Sequence, residues 1–339
     1  MTISSTSIRH RRANAGPVQW LARGLIATAV LALGLAASGA AYEIIAARSD
    51  AETYPAPGRL IDVGGYRLHI NCIGAGSPVV ILDAGLGGSS VDWSRVQPEL
   101  ATTTRVCAYD RAGMGWSDRG LRAQTPEQIA EELHTLLMNA DVPGPYVIVG
   151  HSLSGKYARL FALDYRQETA GIVLVDARSE YVDDRTTPLE YRAFVEAVES
   201  QGRQYAVARR FGIARLFGAQ LAGTSAIPAE TRRLMALLAT RQNAIDATEG
   251  EAQARAANDP ELRTEPAMGA LPLIVLVSDQ SIANLPHWAE AQRRQAGRSS
   301  VGRMVIASGS SHAIHWDRPD LVIGSVREVI ANARSRQLQ

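Results

Sequence analysis

The stretch Tyr146–Gly155, YVIVGHSLSG, decides how the rest of this 339-residue chain is read. Tyr146–Val149 is a short apolar run of the kind that forms a strand buried on both faces. The run breaks at Gly150-His151-Ser152-Leu153-Ser154-Gly155, and a helical pattern with Tyr157, Leu160, Phe161 and Leu163 follows. A serine on so sharp a strand-to-helix turn has its hydroxyl exposed above the sheet, with a helix N-terminus beneath it. The turn demands small residues two places before and two places after the serine. Gly150 meets that demand in full, whereas Ser154 stands where glycine is usual and adds a CH₂OH group.

Outward from this turn, strand signals alternate with helical ones. Arg59–Val63 and Tyr66–Cys72 flank Gly64-Gly65, a hairpin signal. Pro78–Leu82, Thr104–Tyr109, Ile172–Val175, Leu273–Val277 and Arg303–Ala307 are further short apolar strands. Thr125-Pro126-Glu127-Gln128 caps a helix whose core face is Ile129, Leu133, Leu136 and Leu137. The alternation predicts an α/β fold with a mostly parallel sheet covered on both sides. Residues 178–270 carry no strand signal and are rich in Ala, Arg, Leu and Glu. They are expected to form a helical cap over the C-terminal ends of the strands, dividing the core into residues 59–177 and 271–339. The apolar stretches Phe211–Leu216 and Leu234–Leu238 either pack this cap or line an acyl pocket.

A nucleophilic serine needs a base, an acid that orients the base, and donors for an oxyanion. His312 is the expected base, because it sits in a small-residue loop just after the last strand, while His315 nearby reads as structural. Two acids keep the order Ser…Asp…His: Asp176 at the end of the sixth strand, which is favoured, and Asp279 just beyond the seventh. The backbone N–H groups of Leu153, after the serine, and Leu86, in the glycine-rich loop Asp83–Gly88, are the expected oxyanion donors. No metal or organic cofactor is required by such a site.

Composition sets outer limits. With 35 basic and 34 acidic residues the net charge is +1, which gives no electrostatic footprint for nucleic acid. Hydrophobic residues make up 46% of the chain, too many for disorder, and two cysteines are too few for a disulfide scaffold or a structural zinc site. Residues 1–23 are basic, with Arg9, Arg11, Arg12 and Arg23, and Gly24–Tyr42 holds no charge. Nineteen helical residues span roughly 28 Å, close to the hydrocarbon thickness of a bilayer. The expectation is a transmembrane signal anchor over 24–42 with a cytoplasmic tail, a linker over 43–58, and the body outside the cytoplasm. A cleaved signal peptide, which would leave a secreted protein, and a buried helix are the competing readings.

Several motifs together resemble the α/β-hydrolase fold superfamily, in its serine-nucleophile branch: DAGLGGSS (83–90), VCAYDRAGMGWS (106–117), GPYVIVGHSLSG (144–155), GIVLVDA (171–177) and HAIHWDRPDLVI (312–323). The resemblance implies an eight-stranded sheet with its second strand antiparallel. It also implies a triad of Ser152, His312 and an acid after strand six or seven. In most members the acid lies a few residues beyond strand seven, where this chain has Ser281; some relatives carry it at the end of strand six, matching Asp176. The same fold places the end of strand two beside the start of strand four. Cys72 and Cys107 could therefore form a disulfide, or remain two buried thiols.

The expected activity is hydrolysis of carboxylic esters or related acyl compounds, with a small acyl molecule as the partner. An aminopeptidase would need acids for the substrate amine, for which the cap offers Glu190, Glu196 and Glu199; a perhydrolase would use the same triad. A non-catalytic binding protein that keeps the fold is the alternative of a different class.

Overall fold

The structure is a computed structural model, and it describes residues 17–183, 185–186, 188–213, 226–254, 262, 264 and 266–337. The short apolar runs become one eight-stranded sheet: β1 Arg59–Asp62, β2 Arg67–Ile73, β3 Val79–Asp83, β4 Val106–Asp110, β5 Tyr146–His151, β6 Thr169–Val175, β7 Leu273–Ser278 and β8 Arg303–Ala307. The spatial order is β1-β2-β4-β3-β5-β6-β7-β8. β2 runs antiparallel to both neighbours, and every other pairing is parallel. This is the α/β-hydrolase sheet that the motifs imply.

The helices, in chain order, are α1 Pro17–Thr53, α2 Gln97–Ala101, α3 Pro126–Asn139, α4 Ser154–Asp164, α5 Glu180–Asp183, α6 Pro188–Arg210, α7 Ala229–Ala239, α8 Gln242–Ala254, α9 Asp279–Asn284, α10 Trp288–Ala296, α11 Ile314–Asp317 and α12 Pro319–Gln337. Thr125 accepts the Gln128 N–H at the start of α3, so the cap read in the sequence forms. Two cores flank the sheet because successive residues of a strand point to opposite faces. Ile81, Ile148, Ile172 and Leu174 pack on one face with Leu133, Leu136 and Phe161 of α3 and α4. Val80, Leu82, Val147, Val149 and Val173 pack on the other with Trp93, Leu100 and Val322, Val326 and Val329 of α12. Each fully buried aliphatic side chain stabilises the fold by about 1.5–3 kcal/mol, so the continuous apolar runs are what the two-sided burial requires.

Cys72 and Cys107 stand opposite each other in the β2–β4 register and are joined by a disulfide. Between β6 and β7 the described residues form the helices α5 to α8 and no strand. The stretch Phe211–Leu216 falls outside the described residues beyond Ile213, as does the basic run Arg9–Arg12.

One boundary differs from the sequence reading. Helix α1 does not stop with the apolar run at Tyr42 but continues to Thr53, so the connection to β1 is Tyr54–Gly58 rather than residues 43–58. Glu43-Ile44-Ile45-Ala46-Ala47-Arg48 contains no helix breaker, and the first proline is Pro55. Gln19–Asp50 is long and apolar enough to cross a membrane by length and composition, and its Leu25, Ile26, Val30, Leu31, Leu33 and Leu35 are exposed. Near the end of the apolar run Glu43 pairs with Arg209 of the cap helix α6 at 3.2 Å.

Candidate active site

Ser152 adopts φ 53°, the left-handed conformation that a strand-to-helix turn of this sharpness imposes. A Cβ at Gly150 would lie 2.7 Å from the Ser154 carbonyl oxygen, so glycine there is a steric necessity. The extra hydroxyl of Ser154 is buried and lies 2.8 Å from both the Asp83 and His151 carbonyl oxygens. The departure from glycine is thereby satisfied, and it ties the elbow to the end of β3.

The structure brings together residues that the chain separates widely. His312 Nε2 lies 2.8 Å from Ser152 Oγ, and its Nδ1 lies 2.7 Å from Asp176 Oδ2. Asp176 is fully buried at the end of β6, with φ 45°. Its carboxylate meets four donors. Oδ1 accepts the Ser278 N–H and the Trp288 indole N–H, at 3.1 and 2.8 Å. Oδ2 accepts the Ser281 hydroxyl at 2.5 Å besides facing His312. Four donors fill the lone-pair capacity of a carboxylate, so the group is held as a hydrogen-bond acceptor with fixed orientation.

Asp279 does not face the imidazole. It starts α9 at the surface, where it accepts the backbone N–H groups of Gly309 and Ser310 at 2.8 and 3.3 Å. Those bonds, the Gly309 one foremost, hold its carboxyl below the usual range. Its structural effect is on the loop that carries His312. That loop is fixed further by the Ser278 hydroxyl on the Ser310 carbonyl (2.6 Å) and by Asp317, which accepts the Ser311 N–H (2.8 Å). Ser281, at the position of the family's usual acid, donates to Asp176 instead.

Two further histidines lie behind the site. His151 Nε2 is 3.1 Å from the His312 carbonyl oxygen, and its ring packs 4.4 Å from that of His315. Burial first, and then the neighbouring His315 and His312, push the His151 pKa well below the ordinary histidine value. Burial likewise pushes His315 down to about 3. Both are neutral at physiological pH, and His315 sits against Trp93 as a packing residue.

The loop Asp83–Gly88 borders Ser152: a Cβ at Gly85 would lie 3.2 Å from Ser152 Cβ and 2.8 Å from His151 Nδ1. Gly88 N–H closes a turn on the Gly85 carbonyl at 3.0 Å, which leaves the Leu86 N–H outside the turn's own bond. Leu153 is the N-cap of α4, and its N–H is among the donors a helix start leaves unused. The Leu86 and Leu153 side chains pack in one small cluster with Ile129 and Tyr157.

Some groups near the site have no role in the sequence reading. Trp288 and Ser281 are bonded to Asp176. Arg111, in the YDRAG motif, ion-pairs with Asp83 and with Glu251 of the cap. Burial pushes Asp83 up to about 6 even against the pull of Arg111 and the Tyr109 hydroxyl. Among the cap acids, Glu199 accepts from Gln253 and pairs with Arg203. Among the described residues no group of three His, Cys, Asp or Glu is arranged to hold a metal ion.

The alpha/beta hydrolase family profile matches residues 79–324, more than half of the chain, and the chain belongs to that family. It is 45% identical over 84 residues to an uncharacterized protein of Schizosaccharomyces pombe, covering 25% of this chain and 16% of that one. It is 33% identical over 103 residues to the uncharacterized protein YqjL of Bacillus subtilis, covering 30% of this chain and 41% of that one. The chain thus spans less than half the length of these curated relatives. A thermophilic esterase from Thermogutta terrifontis superposes with a TM-score of 0.58 at 24% identity, over 81% of this chain and 98% of that one. That likeness is one of fold.

Proposed function

We propose that this chain is a serine hydrolase that cleaves carboxylic esters or related acyl compounds through an acyl-enzyme intermediate. The observation that carries the proposal is the position of His312, within hydrogen-bond reach of Ser152 Oγ on one side and of buried Asp176 on the other. Ser152 Oγ attacks the substrate carbonyl carbon and gives its proton to His312 Nε2. Asp176 accepts the His312 Nδ1–H, fixes the tautomer and stabilises the imidazolium. The Leu86 and Leu153 N–H groups bind the oxyanion of the tetrahedral intermediate. As that intermediate collapses, His312 returns the proton to the leaving alkoxide, and an ester on Ser152 remains. Water then attacks this ester with His312 again as base, releasing the acid and regenerating the serine.

The cap over the strand ends is read as the part that selects the substrate. Helix α1 is read as a membrane anchor with the catalytic body outside the cytoplasm. Its exposed apolar length, the arginines that precede it and the Cys72–Cys107 disulfide support that topology. The mass of the mature N-terminus distinguishes it from a cleaved signal peptide.

The test uses the full chain in detergent with p-nitrophenyl esters of increasing acyl length and a fluorophosphonate probe. Turnover and probe labelling that both disappear in Ser152→Ala are the expected result. Folded protein with neither turnover nor labelling would move the reading to a non-catalytic member of the family.

A further inference from the structure

Arg111, one residue past β4, is buried, yet no step of the proposed reaction uses it. All five of its N–H donors are engaged. Nε and Nη2 donate to the two oxygens of Glu251, at 2.6 and 3.0 Å. Nη1 donates to Asp83 Oδ1 and the Ala84 carbonyl, at 2.5 and 2.6 Å. The second Nη2 hydrogen goes to the Gly85 carbonyl at 2.8 Å. The guanidinium lies over the Tyr157 ring, 5.5 Å from its centroid. Burying a guanidinium and two carboxylates is costly unless every donor is met, and a planar five-donor fork is the one side chain that can meet this set.

Two of these partners have a consequence for chemistry. The Gly85 carbonyl and the Leu86 N–H belong to the same peptide unit, which is planar and, when trans, points the two groups in opposite directions. Fixing the oxygen therefore fixes the hydrogen. Donation to the carbonyl also polarises the amide and makes its N–H a stronger donor. Glu251 comes from α8, so the group that grips Arg111 from the far side belongs to the cap and is fully buried.

We infer that Glu251 of the cap positions the Leu86 amide through Arg111, making the cap and the oxyanion site one mechanical unit. Glu251 is a positioning residue in this scheme, and the inference rests on the serine-hydrolase reading above. A cap helix displaced from the sheet would release one side of the guanidinium and loosen the Gly85–Leu86 peptide plane.

The test is a double-mutant cycle of Glu251→Gln with Leu86→Pro. Proline deletes the proposed donor at the second position of the Gly85–Gly88 turn, a position it favours. Rates with p-nitrophenyl esters are divided by the concentration of sites that fluorophosphonate titrates, so unfolded protein drops out. Glu251→Gln is expected to lower kcat about 10- to 100-fold with KM little changed. In the Leu86→Pro background the same substitution is expected to change kcat less than about twofold. Glu251→Asp, which keeps the buried charge but retracts it by one methylene, is run in the same cycle in case the glutamine variant does not fold. Loss by the same factor in both backgrounds, or no loss in either, overturns the inference and leaves Arg111 a structural strut. Turnover that survives Ser152→Ala would instead remove the underlying reading, whatever the cycle gives.

Discussion

The ends of β6 and β7 lie side by side and each presents an aspartate to the segment that carries His312, yet the two carboxylates differ in every physical respect. Asp176 is buried, takes a left-handed backbone and gathers donors from β7, α9, α10 and the histidine itself. Asp279 is only half-buried and spends its oxygens on the backbone of the loop. One faces the imidazole; the other holds the segment on which the imidazole is mounted. Proximity to a histidine in the fold therefore does not assign the acid. Under the proposed reaction, burial and the set of donors around the carboxylate are what would separate an orienting partner from a loop clip.

The largest effect expected from breaking this contrast is at Asp176. Asparagine there keeps the shape but presents an amide to His312 Nδ1 and favours the wrong tautomer, so kcat should fall by about 10³–10⁴ with little change in KM. Steady-state kinetics of Asp176→Asn on a p-nitrophenyl ester checks it; a loss below tenfold would reopen the assignment.

The next effect concerns the stability of the segment that follows β6. Glu180 is buried against Arg159 (2.7 Å) and Lys156 (3.5 Å). Burial alone would raise its pKa, but the two cations outweigh it and hold the carboxyl at about 2. A folded-state pKa below the unfolded one stabilises the fold above the unfolded value, near 4.5. That contribution is lost as pH falls from there toward about 2. Glu180→Gln removes the buried negative charge that Arg159 and Lys156 face and should cost about 3 kcal/mol at neutral pH. Its stability should also depend less on pH between those limits than the parent's, as denaturant titrations at stepped pH would reveal.

Smaller losses are expected from the donors to Asp176. Trp288→Phe removes the indole N–H and Ser281→Ala the hydroxyl, each leaving the buried carboxylate one partner short. Hydrogen bonds to charged groups contribute about 1.5–3 kcal/mol, so kcat should fall roughly tenfold or somewhat more in each variant. Equal activity in both would mean that water replaces the lost donors.

How far these features were legible from the chain follows from the range over which each is encoded. The elbow, the apolar strands and the Thr125 cap are local patterns, fixed by residues within a few positions of one another. The continuation of α1 beyond the apolar run has no sharp mark in the chain, because a change from apolar to mixed composition at Glu43 signals a change of environment, not a helix stop. The choice of Asp176 over Asp279 could only be a preference, since both aspartates close strands and the deciding donors come from afar. Trp288 is 112 positions from Asp176, and Glu251 is 140 from Arg111. No local pattern can announce such pairs, whereas the strand-end position of Arg111 inside YDRAG was a signal open to reading.

The smallest effect lies at Asp279, and it sharpens the comparison most. Asparagine at this position retains an oxygen that can accept from Gly309 or Ser310 but loses the charge that strengthens both bonds. The loop should loosen slightly, and His312 should sample geometries away from Ser152 Oγ. A fall in kcat of about two- to fivefold is expected, in contrast to the thousandfold expected at Asp176. The native carboxyl is held below the usual range by the same backbone N–H groups. Its stabilising contribution is thus present above the ordinary pKa of 3.8 and disappears as pH drops through the lowered one. Asp279→Asn should accordingly remove part of the loss of stability seen below that pH while leaving the neutral-pH fluorophosphonate labelling of Ser152 within a fewfold of the parent's. Abolished labelling in this variant would assign Asp279 a role on the imidazole itself, and the division of labour between the two strand ends would have to be redrawn.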